Sequence, residues 1–156
     1  MSHIVEQYTL TYEEMHEFVV QLAPTIHAPL TILLEGDLGA GKTTFARFLI
    51  QALVGELCEV PSPTFTLMQT YESPQGMIHH YDLYRLHSLE EAVELGIEES
   101  LAEAITLIEW PAIVNAIIPE NHIQIRLRII SESQRFLELN LFGETVVCAN
   151  LLSPNK

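Results

Sequence analysis

A glycine-rich segment with one lysine constrains this chain more than any other feature. It matches G-x-x-x-x-G-K-[ST] in full and comprises Gly36, Asp37, Leu38, Gly39, Ala40, Gly41, Lys42 and Thr43. An apolar run at 31–34 precedes it, and helix-forming residues at 42–53 follow it. A strand, a glycine-rich turn and a helix in this order cradle phosphates, because the backbone N–H groups point inward and the helix N-terminus is partially positive. The segment therefore predicts a site for the phosphates of a nucleoside triphosphate.

The lysine and the threonine of this segment have predicted roles in that site. Lys42 is the only lysine before the C-terminal Lys156, and we expect its ammonium group to neutralise the β- and γ-phosphates. We expect the Thr43 hydroxyl group to ligate Mg²⁺. We also expect Lys42 to stand in an exposed loop rather than in the core, so that its replacement leaves the fold intact.

The charge of the chain limits its partners. Twenty-one acidic residues oppose seven basic ones, which gives a formal net charge of −14 at pH 7. Because Lys and Arg provide nucleic-acid affinity by displacing counterions, we expect no tight tRNA binding by the chain alone. No apolar run reaches the ~18 residues of a membrane span, and no signal-peptide pattern is visible. Two cysteines suit a reducing compartment, so we expect a cytoplasmic protein.

Hydrophobic periodicity predicts an α/β fold, and the length of 156 residues predicts one domain. Strands are predicted at 4–10, 31–34, 65–71, 77–81, 105–109, 123–130 and 136–142. Helices are predicted at 12–22, 42–53, 88–104 with a break near Gly96, and 144–152, and Thr11 with Glu14 forms a capping box for the first. Parallel βα units with added hairpins give a P-loop NTPase-like three-layer sandwich with a mixed β-sheet.

Two acidic residues are candidates for a Mg²⁺ site near the phosphates. Asp82 follows the predicted strand 77–81, and Glu109 ends the apolar run at 105–109. A metal ion in a phosphate-binding loop takes a carboxylate from the end of a neighbouring strand. From the pattern alone, either acid could instead be an ordinary solvated strand end.

Four motifs occur in an order and spacing that resemble one bacterial family. They are GDLGAGKTTFAR at 36–47, SPTFTL at 62–67, HYDLYRL at 80–86 and LIEWP at 107–111. Together they resemble the TsaE (YjeE) family, the small ATPases of the tRNA threonylcarbamoyladenosine pathway, over residues 10–143. The resemblance implies an ATPase with low intrinsic activity. It would act with the TsaB and TsaD proteins on adenosine 37 of ANN-decoding tRNAs.

The resemblance also implies ligands for the site. Residues 36–43 would bind the phosphates of ATP or ADP, and Thr44 would add a second hydroxyl group. The Mg²⁺ shell would include Thr43, Asp82 and Glu109, directly or through water.

The same resemblance implies positions for three further residues. Thr64 lies in the switch-like segment 62–64, which is otherwise a turn that opens a strand. Trp110, the sole tryptophan, would lie beside the nucleotide, whereas core packing is its ordinary role. Arg135 would approach the nucleotide, although a solvated arginine is an equal alternative.

Other functions share the phosphate loop but fit the sequence less well. A GTPase needs a guanine-reading motif such as N-K-x-D, which the interior of the chain lacks. A small-molecule kinase remains the main alternative, but it needs several cations on a lid, and the chain has five arginines without an arginine-rich segment. Zinc binding by His79, His80 and His87 is disfavoured, because no cysteine lies near them and no ligand spacing is present.

Overall fold

Seven strands form one mixed sheet in the computed structural model, which describes residues 2–149. The strands are β1 (His3–Thr11), β2 (Leu30–Glu35), β3 (Met68–Ser73), β4 (Gly76–Asp82), β5 (Ile105–Glu109), β6 (His122–Ile129) and β7 (Gln134–Phe142). Their order across the sheet is β1-β7-β6-β2-β5-β4-β3. The predicted mixed sheet is therefore confirmed.

The four central strands run parallel and set the position of the candidate site. β2 pairs in parallel with β5 and β6, and β4 pairs in parallel with β5. The outer pairs β1–β7, β6–β7 and β3–β4 are antiparallel. Parallel strands end at the same edge of a sheet, so Glu35, Asp82 and Glu109, the last residues of β2, β4 and β5, meet at one edge.

Four α-helices and three short 3₁₀ helices accompany the strands in the described part of the chain. The α-helices are α1 (Tyr12–Leu22), α2 (Lys42–Val54), α3 (Leu89–Glu94) and α4 (Ile97–Glu103), and the 3₁₀ helices cover Ala23–Thr25, Pro111–Ile117 and Gly143–Cys148. The predicted capping box of α1 is confirmed: the Glu14 N–H donates to Thr11 Oγ1, and the Thr11 N–H donates to Glu14 Oε1. Among the described residues, no helix is long and apolar enough to span a membrane.

Alternating side chains of the buried strand β2 enter two separate cores. Ile32 and Leu34 join a core formed with α1 and α2, and Leu33 joins a second core with α3 and α4. Because successive side chains of a strand point to opposite faces, helices cover both faces of the sheet. The predicted three-layer α/β architecture is thereby confirmed.

Two predicted elements differ from the structure. The strand predicted at 65–71 begins only at Met68, because a turn occupies the preceding residues. In that turn the Leu67 N–H donates to the Pro63 carbonyl oxygen, and Leu67 has a φ of +70°, which is incompatible with a strand. The helix predicted at 144–152 is a 3₁₀ helix, Gly143–Cys148, and its predicted last residues lie outside the described range.

The capping box of α3 should contribute measurably to stability. Ser88 Oγ accepts the Glu91 N–H, and the Glu91 carboxylate accepts the Ser88 N–H in return. We expect Ser88→Ala to lower the free energy of unfolding by about 1 kcal/mol, and Ser88→Gly by only a few tenths. Chemical denaturation of both variants tests this, and equal losses would contradict a capping role.

Candidate functional site

The phosphate-loop segment forms a tight turn between β2 and α2, and two of its glycines are required by the backbone. Gly41 is the N-cap of α2 with a φ of +110°, a conformation that side chains with a Cβ rarely adopt. Gly36 has a φ of +151°, and a Cβ there would lie 2.5 Å from the Leu127 carbonyl oxygen of β6. The glycines therefore permit both the turn and the close approach of the loop to the sheet.

The Lys42 ammonium group folds back over this loop instead of projecting into solvent. The residue is 5% exposed, and its Nζ donates to the carbonyl oxygens of Gly36 at 2.6 Å and Asp37 at 3.1 Å. The same nitrogen lies 4.1 Å from the centroid of the Trp110 ring, within the range of a cation–π interaction. The expectation of an exposed Lys42 is therefore wrong, because the first turn of α2 directs its side chain inward.

Burial and charge act against each other on this ammonium group. Burial lowers the pKa of Lys42, while the carboxylates of Glu109, Asp82 and Asp37 act to raise it. Burial has the larger effect, so the pKa lies below the ordinary value of 10.5. The arrangement places a desolvated positive charge at the N-terminus of α2.

Thr43 and Glu109 are in direct contact. The Thr43 hydroxyl group lies 2.9 Å from Oε1 and 3.1 Å from Oε2 of the Glu109 carboxylate. Glu109 is the last residue of the buried strand β5 and is 2% exposed. Glu109 is therefore not a solvated acid at the end of a strand.

Asp82 lies beside Glu109 and connects to the switch-like segment. The two residues are paired in the parallel register of β4 and β5, and Asp82 is 4% exposed. Its Oδ2 accepts the Thr64 hydroxyl group at 3.0 Å, and its Oδ1 accepts the Tyr84 N–H at 3.0 Å. Asp82 is thus also a buried carboxylate, and Thr64 links it to the switch-like segment.

Most of the predicted site residues line one cavity of about 220 Å³ at this edge of the sheet. Its lining comprises Leu38, Gly39, Gly41, Lys42, Thr43, Thr44, Thr64, Asp82, Glu109 and Trp110. Oxygen donors of this kind, two carboxylates and a hydroxyl group, are those that Mg²⁺ prefers. Within residues 2–149, no group of three or more His, Cys, Asp and Glu could hold a metal ion. A Mg²⁺ ion here would therefore need Thr43 and ligand oxygens as well.

The remaining predicted residues surround this cavity without lining it. Arg135 donates to the carbonyl oxygens of Ala40 at 3.2 Å and Gly39 at 3.4 Å, so it contacts the loop and is not a freely solvated arginine. It also lines a second cavity of about 410 Å³, together with Gly39, Gly41 and Thr44. Gly36 and Asp37 line other cavities on the β6 side of the loop, and Ala40 is buried.

His80 is a residue of this site to which sequence reasoning assigned no role. It is fully buried, and its Nε2 lies 2.7 Å from Glu109 Oε2. The sequence could have suggested that His80 lies near Asp82, because the two residues are two apart on β4 and therefore share a face of the sheet. That Glu109 lies at the same face follows only from the pairing of β4 with β5.

Comparisons with known proteins agree with one another. The family model for "Threonylcarbamoyl adenosine biosynthesis protein TsaE" matches residues 9–137. The tRNA threonylcarbamoyladenosine biosynthesis protein TsaE of Rickettsia bellii (strain RML369-C) is 42% identical, over 81% of this chain and 88% of its own. The protein of that name from Bacillus subtilis (strain 168) is 32% identical, over 80% and 78%. The crystal structure of Bacillus subtilis YdiB matches with a TM-score of 0.73 at 25% identity, over 97% of each chain.

The contact between Lys42 and Trp110 should be visible in fluorescence. Because the pKa of Lys42 is lowered, its ammonium group should lose its proton, and the cation–π contact should disappear, at a pH below 10.5. Between the pKa of Lys42 in the folded chain and its higher pKa in the unfolded chain, Lys42 carries its proton mainly in the unfolded chain. The free energy of unfolding should therefore rise with pH in this window. We expect Trp110 emission to change in the same window.

Two variants separate this transition from the ionisation of tyrosines. Lys42→Met should abolish the fluorescence transition, while Tyr84→Phe, which alters the aromatic neighbour of Trp110, should retain it. An unchanged transition in Lys42→Met would contradict the assignment.

Proposed function

Because the chain belongs to the TsaE family of threonylcarbamoyl adenosine biosynthesis proteins, we propose that it is the ATP-hydrolysing subunit of that tRNA modification pathway. In this proposal it binds ATP with Mg²⁺ in the cytoplasm, hydrolyses it slowly, and supports a TsaB–TsaD complex in threonylcarbamoylation of tRNA. The observation that carries the proposal is the single cavity in which Lys42, Thr43, Asp82 and Glu109 meet at the N-terminus of α2.

The chemistry of this cavity supports the binding of a triphosphate. The turn and the helix N-terminus offer backbone N–H groups and partial positive charge to anionic oxygens. Lys42 supplies a full charge, and it would exchange the carbonyl oxygens of Gly36 and Asp37 for phosphate oxygens. The second cavity adjoins the first through Gly39, Gly41 and Thr44 and would give a nucleoside room beside the phosphates.

Thr43, Asp82 and Glu109 are the residues that would hold Mg²⁺. When bound, the ion would offset phosphate charge that one lysine cannot balance alone. The carboxylates of Asp82 and Glu109 are already buried side by side, so binding of the ion would need no large rearrangement of these residues. Thr64 is bonded to Asp82 and would transmit a change at the metal to the segment 62–67.

The distribution of cations supports slow hydrolysis by the chain alone. Transition-state charge in phosphoryl transfer is often met by an added arginine. Arg135 is already engaged with backbone carbonyl oxygens, including those of Ala40 and Ser131. Arg85 lies over the Phe65 ring and donates to the Thr64 carbonyl oxygen. Neither arginine is free to meet phosphate charge without losing these contacts.

Exposed apolar side chains next to the cavity support completion of the site by a protein partner. Leu38 is 68% exposed, Phe65 is 83% exposed and Tyr84 is 53% exposed. In this proposal the TsaB and TsaD proteins cover these side chains and order the segment 62–66. The net charge of −14 disfavours tRNA as the direct ligand of the chain.

Lys42 should be required for nucleotide affinity. We expect Lys42→Met to weaken ATP binding by about 100-fold or more in calorimetric titration with Mg²⁺, because the phosphates lose a charge-assisted contact. Arg128→Met is the matched control, since Arg128 packs over Phe136 outside the cavity. Unchanged affinity in Lys42→Met would refute the phosphate site.

Partner proteins should stimulate hydrolysis. We expect the rate to rise at least about tenfold when the cognate TsaB–TsaD complex is added at fixed salt, toward the ~10³–10⁵-fold that an added cation gives in the best cases. Phe65→Ser should reduce the stimulation, whereas Leu57→Ser, at a still more exposed leucine beyond the far end of α2, should not.

Three outcomes would count against this role. Fast hydrolysis without partners would contradict the incomplete site. Tight tRNA binding by the chain alone at physiological salt would contradict the charge argument. Transfer of the γ-phosphate to a small-molecule acceptor would favour the kinase alternative.

A further inference from the structure

His80 on β4 is a buried histidine whose two ring nitrogens differ in their contacts. Its exposure is 0%, and its Nε2 lies 2.7 Å from Oε2 of Glu109. Among residues 2–149, its Nδ1 has no hydrogen-bond partner. A carboxylate accepts hydrogen bonds, so the short contact places a proton on Nε2. His80 therefore donates a hydrogen bond to Glu109, while its Nδ1 is left without a partner among the described residues.

Packing alone does not account for a histidine at this position. A buried polar atom without a partner costs about 1–3 kcal/mol, and an apolar side chain of similar volume would fill the space without that cost. His79, its neighbour in sequence, illustrates the difference, because its Nδ1 shares a hydrogen bond with Ser100 on the α4 side of the sheet. The distinguishing contact of His80 is the one with Glu109.

The two oxygens of the Glu109 carboxylate differ in their contact with His80. Oε2 accepts from His80 and lies 3.1 Å from the Thr43 hydroxyl group, while Oε1 lies 2.9 Å from that hydroxyl group. In the described part of the chain, these two residues are the side-chain donors to Glu109. A Thr43 hydroxyl group that turned to a metal ion would leave His80 as the side chain that holds this carboxylate in place.

We infer that His80 is a positioning residue that fixes Glu109 Oε2 and so presents Oε1 to the cavity. The inference rests on the proposed function, in which Glu109 is part of the Mg²⁺ site. Oriented partners of metal-binding side chains typically contribute 10- to 100-fold to metal affinity. Loss of the His80 contact should therefore weaken the coupling between Mg²⁺ and nucleotide, and leave the contacts of the phosphates with the loop unchanged.

The test measures that coupling as the ratio of two ATP dissociation constants, one in EDTA and one at saturating Mg²⁺. Calorimetry of the full chain supplies both constants without relying on hydrolysis. We expect His80→Leu to reduce the ratio by about tenfold or more, with the constant in EDTA unchanged. His80→Gln should restore most of the ratio, because its amide N–H group lies near the position of Nε2, whereas the shorter His80→Asn should not.

Two controls separate positioning from stability and from the function itself. His79→Leu removes the adjacent histidine and should leave the ratio unchanged. Glu109→Gln removes the carboxylate charge and should reduce the ratio at least as much as His80→Leu.

The possible results are distinct. A reduced ratio in His80→Leu and His80→Asn with recovery in His80→Gln supports the inference, and the Gln–Asn comparison suffices if the leucine variant does not fold. An unchanged ratio in the His80 variants, with a reduced ratio in Glu109→Gln, overturns the positioning role alone. An unchanged ratio in Glu109→Gln overturns the metal assignment of the proposed function, and the inference with it.

Discussion

The candidate site depends on the mutual compensation of buried charges. Lys42, Asp82 and Glu109 are each almost fully removed from solvent, and an isolated buried ion is costly in a protein interior. The carboxylates act to raise the pKa of the ammonium group that burial lowers. The hydroxyl groups of Thr43 and Thr64 and the ring of His80 supply hydrogen bonds to the two acids. Removal of Lys42 would leave two like charges buried side by side, whereas removal of either acid would take one compensating carboxylate from Lys42.

The parallel register of the central strands brings these groups together. Asp82 and Glu109 are paired across β4 and β5, and β2 delivers the phosphate loop to the same edge. The loop can lie against the sheet because Gly36 leaves room for the Leu127 carbonyl oxygen. Arg135 on β7 donates hydrogen bonds to carbonyl oxygens of the loop and so holds the loop against the sheet. These two contacts come from β6 and β7, on the side of β2 opposite the acids of β4 and β5.

The sequence predicted local features well and long-range side-chain contacts poorly. The strand–loop–helix order and the capping box follow from neighbouring residues, and both are present. The turn from Pro63 to Leu67 was missed because its apolar residues resemble a strand, although Phe65 is exposed. The burial of Lys42 and the bond from His80 to Glu109 could not be derived, because each depends on how segments distant in sequence are packed. The roles of these residues toward ATP and Mg²⁺ remain predictions.

The hydrogen bonds within the loop have a consequence for the affinity of any anion that would bind there. Lys42 bonds to the carbonyl oxygens of Gly36 and Asp37, and Thr43 bonds to Glu109. An anion that engaged these donors would replace internal hydrogen bonds instead of satisfying unpaired groups. Each exchanged bond would therefore contribute only the difference between the new partner and the old one. Such exchange favours moderate affinity and ready dissociation of the occupant.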